Sequence, residues 1–158
     1  MIVWLETELA LAIHDRQLAE HGGSAGVRDA GLLESALARP QQLHAYGDPA
    51  PDLADLAAAL AHGLVSNHPF VDGNKRTAHV AYRTFLALNG AELVATDEEK
   101  YLTMLALAEG KLGEQDFAAW LRKHVRTRGR SEAHEPRPAY QAKVRLGQPR
   151  RRPLRAAR

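Results

Sequence analysis

The chain has 158 residues, a typical length for one domain with a substantial hydrophobic core. It contains no cysteine, so disulfide bonds and thiolate metal sites are excluded and a reducing compartment is acceptable. The formal net charge of +2 conceals a division, because residues 1–125 carry ten basic and seventeen acidic residues whereas residues 126–158 carry eleven and two. Met1–Glu6 does not resemble a secretory signal, and charges interrupt every apolar run, so we expect a cytoplasmic protein without a membrane span.

The amino-terminal part of the chain predicts two helices joined by a glycine-rich loop. Apolar residues recur at helical spacing at Leu5, Leu9 and Ile13. Asp29 is a suitable N-cap for the second helix, which we expect to end at about Ala38 because Pro40 follows. The intervening segment, residues 21–29, contains three glycines and is therefore expected to be a mobile loop.

Two further helices flank a short polar loop. The apolar stripe of the third helix consists of Leu53, Leu56, Leu60 and Leu64. We expect this helix to end before Pro69, which cannot continue it. Gly73 and Asn74 suit a turn into the fourth helix, and Asn89–Gly90 is a suitable C-cap.

The rest of the body predicts two more helices. Thr96–Glu99 forms a capping box that opens a fifth helix. The apolar face of a sixth helix consists of Phe117, Trp120, Leu121 and Val125. Only Glu92–Val94 has an extended pattern. The prediction is an all-α bundle of six helices in which the loop between the third and fourth helices carries the chemistry.

That loop and the start of the fourth helix combine groups that suit phosphate chemistry. Gly73 and the free N–H groups of a helix start can cradle an anion, and Lys75 and Arg76 add two positive charges. A carboxylate beside a phosphate, here Asp72, is explicable if it binds a magnesium ion that the phosphates share. His68 can titrate near neutral pH and is a candidate general base.

A purely structural interpretation of these residues stays open. A histidine before a proline is often a loop or capping residue, and an Asp-Gly-Asn sequence is often a plain turn. The two cations favour a site, because Lys75 and Arg76 lie at the helix end where positive charge is unfavourable without an anion.

The loop closely resembles the signature loop of the Fic/Doc superfamily, and it reads His68-Pro69-Phe70-Val71-Asp72-Gly73-Asn74-Lys75-Arg76. Lys75 matches the death-on-curing (Doc) toxin branch, because the Fic adenylyltransferases carry a glycine there and a second arginine where this chain has His79. Leu11–Asp15, Gly22–Asp29 and Gly31–Pro40 also look like the amino-terminal half of the family. The resemblance extends over about residues 5–124 and implies the all-α Fic/Doc fold.

The resemblance implies an enzyme, the toxin of a toxin–antitoxin pair, that transfers a phosphoryl group from ATP to a protein hydroxyl with the help of Mg²⁺. The typical target in the family is a threonine of elongation factor Tu, whose modification stops translation. The resemblance also implies a cognate antitoxin that acts in trans, through a disordered segment that folds on the toxin.

The resemblance assigns catalytic roles residue by residue. His68 would take the proton of the target hydroxyl, and Asp72 would hold magnesium, with Lys75 and Arg76 assisting at the phosphates. The residues that would bind the nucleotide phosphates are Gly73, Asn74, Lys75 and Arg76.

Two further roles are implied away from the phosphates. Phe70 would point into the core and anchor the loop. The glycine-rich segment, with Gly23, Gly26 and Arg28, would lie near the site as a flap for the target. A plain interhelical turn is the alternative for this segment.

Two other functions stay open. An adenylyltransferase would transfer AMP, although the Lys75 side chain fills space that a glycine leaves for deep-lying phosphates. A non-catalytic binding module would use the loop only to bind an anion, and would contact a partner or RNA through its charged surfaces.

The carboxyl-terminal tail differs from the body in composition. Residues 127–158 are rich in arginine and proline and poor in large apolar residues, so we predict a catalytic domain over residues 1–126 and a disordered tail. The tail could contact RNA, the ribosome or an acidic protein by charge, and a solvated extension is the alternative.

Overall fold

The structure is a computed structural model in which residues 1–128 are described. Met1–Arg126 forms one compact unit, and of the remaining chain only Thr127 and Arg128 are described. The predicted basic tail, residues 127–158, lies almost wholly outside the described residues, so its disorder and its contacts stay predictions. None of the described helices has the length and apolar character needed to cross a membrane.

The described residues form six helices and two short strands. In chain order these are α1 (Thr7–His21), α2 (Ala30–Tyr46), α3 (Leu53–Asn67), α4 (Asn74–Leu88), β1 (Ala91–Leu93), α5 (Asp97–Ala108), α6 (Glu114–His124) and β2 (Val125–Thr127). The two strands pair with each other. The predicted all-α, six-helix bundle is confirmed, and the predicted loop lies between α3 and α4.

Helix α3 is the central helix of the bundle. All residues from Leu56 to Ala61 are buried, so this part of the helix is surrounded by protein on every side. It packs against α2, α4, α5 and α6. Gly63 lets α2 approach closely, because a Cβ atom at this position would lie only 3.3 Å from the Ala36 Cα atom. The carboxyl end of α3, where the loop begins, is therefore fixed by its neighbours.

Helix α4 fixes the other end of the loop. Its inner face consists of the buried residues Thr77, Ala78, Ala81, Tyr82, Thr84, Phe85 and Leu86. Tyr82 packs edge-on against Phe117 of α6, with ring centroids 5.3 Å apart. Because this face begins one turn from the amino terminus of α4, the first residues of the helix sit on a rigid support.

The second helix is longer than the sequence predicts. It continues through Pro40 to Tyr46 instead of ending at about Ala38. An interior proline removes one helical hydrogen bond and costs about 3 kcal/mol. Pro40 is itself buried, and Leu37 and Leu43 on either side of it join the core, so burial offsets that cost.

The end of the body also differs from the prediction. Apolar periodicity places Val125 in the sixth helix, whereas α6 ends at His124 and Val125 begins β2. The N–H group of Val94 donates to the His124 carbonyl at 2.8 Å, and this contact next to β1 draws the chain into the small sheet. Val125 packs against the core in the strand as it would in a helix, so periodicity cannot distinguish the two.

A cluster of charged side chains ties the start of α3 to α6. Asp52 and Asp55 form a capping box in which each carboxylate accepts the backbone N–H of the other residue at 2.9 Å. Arg122 donates to Asp52 at 2.7 and 3.1 Å and to Asp55 at 2.8 Å. The hydrogen bonds from Arg122 hold the pKa of Asp52 far below its ordinary value of 3.8.

Replacing Arg122 by glutamine should lower the stability of the protein at neutral pH. The decrease in stability between neutral and acid pH should then be smaller than in the wild type. The folded-state pKa of Asp52 lies below the unfolded value, so this stability is present above the unfolded pKa and is lost as pH falls below about 5. Asp52 is half exposed, and solvent screening therefore limits the difference to about 1 kcal/mol. Thermal unfolding between pH 7 and pH 3 measures it. Lys111→Gln, which breaks an exposed pair with Glu109, is the control, and an acid profile of Arg122→Gln that parallels the wild type would contradict the expectation.

Candidate active site

The loop between α3 and α4, residues 68–73, begins with an unusual backbone conformation. His68 ends α3 with φ 49° and ψ 56°, in the left-handed region that residues other than glycine rarely adopt. Its carbonyl accepts a hydrogen bond from Arg28 Nε at 2.7 Å, and Arg28 Nη2 donates to the Asn67 carbonyl at 2.8 Å. Arg28 thus satisfies carbonyl groups that the end of α3 leaves without helical partners. The side chain of His68 is exposed.

The middle of the loop is anchored by Phe70 and Asn74. Phe70 is 1% exposed, so its side chain lies in the core. The Phe70 N–H donates to Asn74 Oδ1 at 2.9 Å, and Asn74 Nδ2 donates to the Phe70 carbonyl at 2.9 Å. The Asn74 side chain therefore holds the loop in shape. Any contact of Asn74 with a phosphate would come from its backbone N–H, which lies in the first turn of α4.

The carboxylate of Asp72 lies at the exposed end of the loop. Its Oδ2 atom accepts the backbone N–H of Ser24 at 3.1 Å, and its Oδ1 atom accepts that of Gly73 at 2.8 Å. These two bonds, that from Ser24 foremost, hold the pKa of Asp72 below its ordinary value, and the positive charge of Arg76 lowers it further. Asp72 is consequently a carboxylate anion at neutral pH.

The start of α4 presents positive groups beside that carboxylate. Gly73 precedes the helix with φ 77°, and no side chain caps the first turn, so its N–H groups are available to an anion. Arg76 Nη2 donates to the Gly22 carbonyl at 3.0 Å, whereas Arg76 Nε is buried without an acceptor in the described part of the chain. Lys75, in the same turn, is exposed. A buried unpaired donor on a planar guanidinium suits an oxyanion, which can bind both donors together.

Residues 22–28, which we call the strap, lie along this loop. Besides the Gly22 and Ser24 contacts, the Gly26 carbonyl accepts the Val71 N–H at 3.0 Å. The N–H of Arg28 donates to the Pro69 carbonyl at 2.7 Å. The structure therefore brings the predicted flap segment against the predicted catalytic loop.

Gly23 is the point at which the strap comes closest to Asp72. Its φ of 124° is rarely accessible to other residues, and a Cβ atom on Gly23 would lie 2.8 Å from Asp72 Oδ2. Gly22 has a φ of 81°, but a Cβ atom there would meet nothing within 4 Å. Both positions favour glycine because of their positive φ. Of the two, Gly23 also needs glycine because a side chain there would collide with the Asp72 carboxylate.

Sequence reasoning missed His14, which lies directly behind the loop. Its Nε2 atom is 2.8 Å from the Asp72 carbonyl oxygen, and its ring stacks on Phe70 with centroids 3.8 Å apart. The side chain is buried, with 2% exposed. The predicted apolar stripe gave no signal, because His14 lies about 100° around the helix from Ile13 and outside the stripe of Leu5, Leu9 and Ile13.

Residues 1–128 contain no group of three or more histidine or acidic side chains that could hold a metal ion. A single carboxylate such as Asp72 suits Mg²⁺ better than a protein cage does, because Mg²⁺ is usually bound by one or two carboxylates, substrate phosphates and water.

The chain is similar in sequence to a known family and to two named proteins. The sequence model of the Fic/DOC family matches residues 4–86. The protein named Toxin Doc from Mycolicibacterium smegmatis is 56% identical over 75 residues, which are 47% of this chain and 57% of that protein. The protein named Protein kinase doc from Escherichia phage P1 is 32% identical over 119 residues, which are 75% of this chain and 93% of that protein. The match thus spans little more than half of the mycobacterial protein and nearly all of the phage protein.

Replacing Gly23 by alanine should detach the strap from Asp72. The added Cβ atom would contact the Asp72 carboxylate, so we expect hydrogen exchange of the Ser24 N–H to become about tenfold faster. Gly22→Ala is the matched control, since it also places an alanine at a positive φ, at a cost of about 1–3 kcal/mol, without that contact. Equal exchange of the Ser24 N–H in the two variants would show that the contact does not hold the strap.

Proposed function

The chain belongs to the Fic/DOC family, and we propose that it is a Doc toxin that transfers a phosphoryl group from ATP to a protein hydroxyl. One observation carries this proposal: a carboxylate, an arginine with an unpaired buried donor and an uncapped helix start meet at a loop that begins with an exposed histidine. We propose a threonine of elongation factor Tu as the target hydroxyl. The names of the two relatives, Toxin Doc and Protein kinase doc, support a toxin and a kinase, and the target is proposed from the family resemblance.

His68 is the proposed general base. It takes the proton of the target hydroxyl while the hydroxyl oxygen bonds to the γ-phosphorus of ATP and the bond to the bridging oxygen of ADP breaks. The exposure of the His68 side chain supports this role, because a folded protein substrate can reach it. Arg28, which donates to the His68 carbonyl, holds the backbone of the proposed base at the end of α3.

Arg76 and the first turn of α4 are the proposed phosphate site. A phosphate oxygen would replace the Gly22 carbonyl on Arg76 Nη2, and a second oxygen would supply the acceptor that buried Nε lacks among the described residues. The backbone N–H groups after Gly73 and the ammonium group of Lys75 add to the attraction. The residues present therefore fit the phosphate groups of a nucleoside triphosphate.

Asp72 is the proposed holder of Mg²⁺. Its lowered pKa keeps it charged at neutral pH, and its exposed position lets phosphate oxygens and water complete the ligand set. When bound there, Mg²⁺ supplies positive charge that balances the phosphoryl oxygens. Gly73, whose N–H bonds Asp72 Oδ1, holds the carboxylate in place for this task.

Two features weigh against AMP transfer. Burial lowers the pKa of His79 to about 4, with the positive charges of Arg83 and Lys100 contributing, so His79 is neutral at physiological pH. It cannot replace the charge of the second arginine in the Fic pattern. Lys75 adds bulk and charge at the helix start where that pattern has glycine.

A toxin of this kind requires restraint, and we propose a cognate antitoxin that binds in trans. The name of the mycobacterial relative supports a toxin with such a partner. Contact of the basic tail with RNA or the ribosome stays a prediction, because the tail lies outside the described residues.

Intact mass of elongation factor Tu after incubation with ATP, Mg²⁺ and this chain tests the proposal. A gain of about 80 Da with the wild type, absent with His68→Ala, is expected for one phosphoryl group. His62→Ala is the matched control, because His62 lies in α3 beside Glu114, 3.5 Å from its carboxylate, and should leave transfer unchanged. A gain of about 329 Da would show that AMP is transferred instead of a phosphoryl group. No gain would reject elongation factor Tu as the target.

Replacing Arg76 by lysine tests the phosphate site separately. Lysine keeps the charge but loses the planar pair of donors, so ATP affinity measured by calorimetry should fall about tenfold. Arg83→Lys, at an exposed position of the same helix, is the control and should bind ATP like the wild type. Unchanged affinity in Arg76→Lys would remove Arg76 from the proposed site.

A further inference from the structure

We propose that His14 is a positioning residue that sets the direction of the Asp72 carboxylate through the main chain of Asp72. The inference deepens the proposed function, on which it rests for the role of Asp72. Asp72 makes separate contacts through its side chain and its main chain. The carboxylate faces Ser24 and the backbone of Gly73, while the carbonyl of the same residue accepts a hydrogen bond from His14.

The hydrogen bond from His14 replaces one that α4 cannot supply. The first backbone bond of the helix runs from the Thr77 N–H to the Gly73 carbonyl, so the carbonyl of Asp72, one residue earlier, precedes the helical series. His14 Nε2, at 2.8 Å, donates to it, which requires the tautomer with a proton on Nε2. The Asp72 carbonyl and the Gly73 N–H belong to one planar peptide group. Because His14 fixes the orientation of this peptide, it also fixes the direction of the Gly73 N–H, which donates to Asp72 Oδ1.

His14 itself is held rigidly. Its ring is nearly parallel to that of Phe70, with an interplanar angle of 8°, and both side chains are buried. Ala10, Ile13 and Gln17 are buried on the same face of α1 and fix the helix on which His14 stands. The position of α1 is thus transmitted to the exposed carboxylate through one imidazole.

Packing alone does not require a histidine at this position. Burial of a polar imidazole costs free energy unless its hydrogen bonds are made, and a leucine would fill similar space without that cost. The gain from histidine is a donor aimed at the Asp72 carbonyl. Groups that orient a metal-binding residue from behind typically change metal affinity or activity by about 10–100-fold when removed.

Three variants separate positioning from packing. His14→Leu keeps apolar volume and removes the donor, whereas His14→Gln places an amide N–H near the position of Nε2. Gln17→Leu is the matched control, because it replaces a buried polar residue on the same face of α1. The affinity for Mg²⁺–ADP, measured by calorimetry, should fall about tenfold in His14→Leu, should largely recover in His14→Gln and should stay unchanged in Gln17→Leu.

Hydrogen exchange of the protein alone gives a second readout that does not depend on phosphoryl transfer. We expect His14→Leu to accelerate exchange at residues 70–74 while the amides of α3 keep their protection. Exchange at residues 70–74 at the wild-type rate, or an equal acceleration throughout α3, would overturn the inference. Failure of the wild type to phosphorylate any protein from ATP would reject the proposed function instead, and the exchange experiment would still decide whether His14 positions the loop.

Discussion

The short turn between α3 and α4 is the constraint on which the site depends. Both helices pack into the core, and residues 68–73 connect them, so the chain must reverse without regular hydrogen bonds. Each carbonyl and N–H group of the turn needs a partner, since an unpaired buried group costs about 1–3 kcal/mol. The partners come from three other places: the strap, through Gly26 and Arg28, the Asn74 side chain and His14 of α1. The groups that make the turn possible also hold the proposed catalytic residues in their places.

The contacts of the strap resemble, in chemical type, those proposed for the ligands. The Gly22 carbonyl presents an oxygen to Arg76, as a phosphate would, and the Ser24 N–H presents a positive partial charge to Asp72, as Mg²⁺ would. Each strap contact has one charged partner and contributes about 1.5–3 kcal/mol, whereas the proposed contacts would join two opposite charges, whose attraction is larger. Exchange of the strap contacts for phosphate and Mg²⁺ is therefore favourable under the proposed function, and it also supplies the acceptor for Arg76 Nε.

Local patterns predicted the helices well, and long-range contacts explain what they missed. The Thr96–Glu99 capping box and the leucine stripe of α3 act within a few residues of the chain, and both are present. Helix α2 continues past Pro40 because this part of the helix is buried by packing. Propensities of neighbouring residues in the sequence do not predict such packing. The signature loop could be recognised from its residues. The bonds of Asp72 to Ser24 and His14 cross 48 and 58 residues of sequence, and no residue pattern in the loop predicts them.

The residues that the family model matches carry the site. Residues 4–86 contain α1, α2, α3 and nearly all of α4, and these elements with the strap supply all the site residues discussed above. Helices α5 and α6 lie beyond the match and pack on α3, α6 most extensively. Arg122 of α6 ties down the start of α3, at the opposite end of that helix from His68. Substitutions in α5 and α6 should therefore act on the site through the stability of α3, whereas those in α1 can act on it directly, because His14 of that helix contacts Asp72.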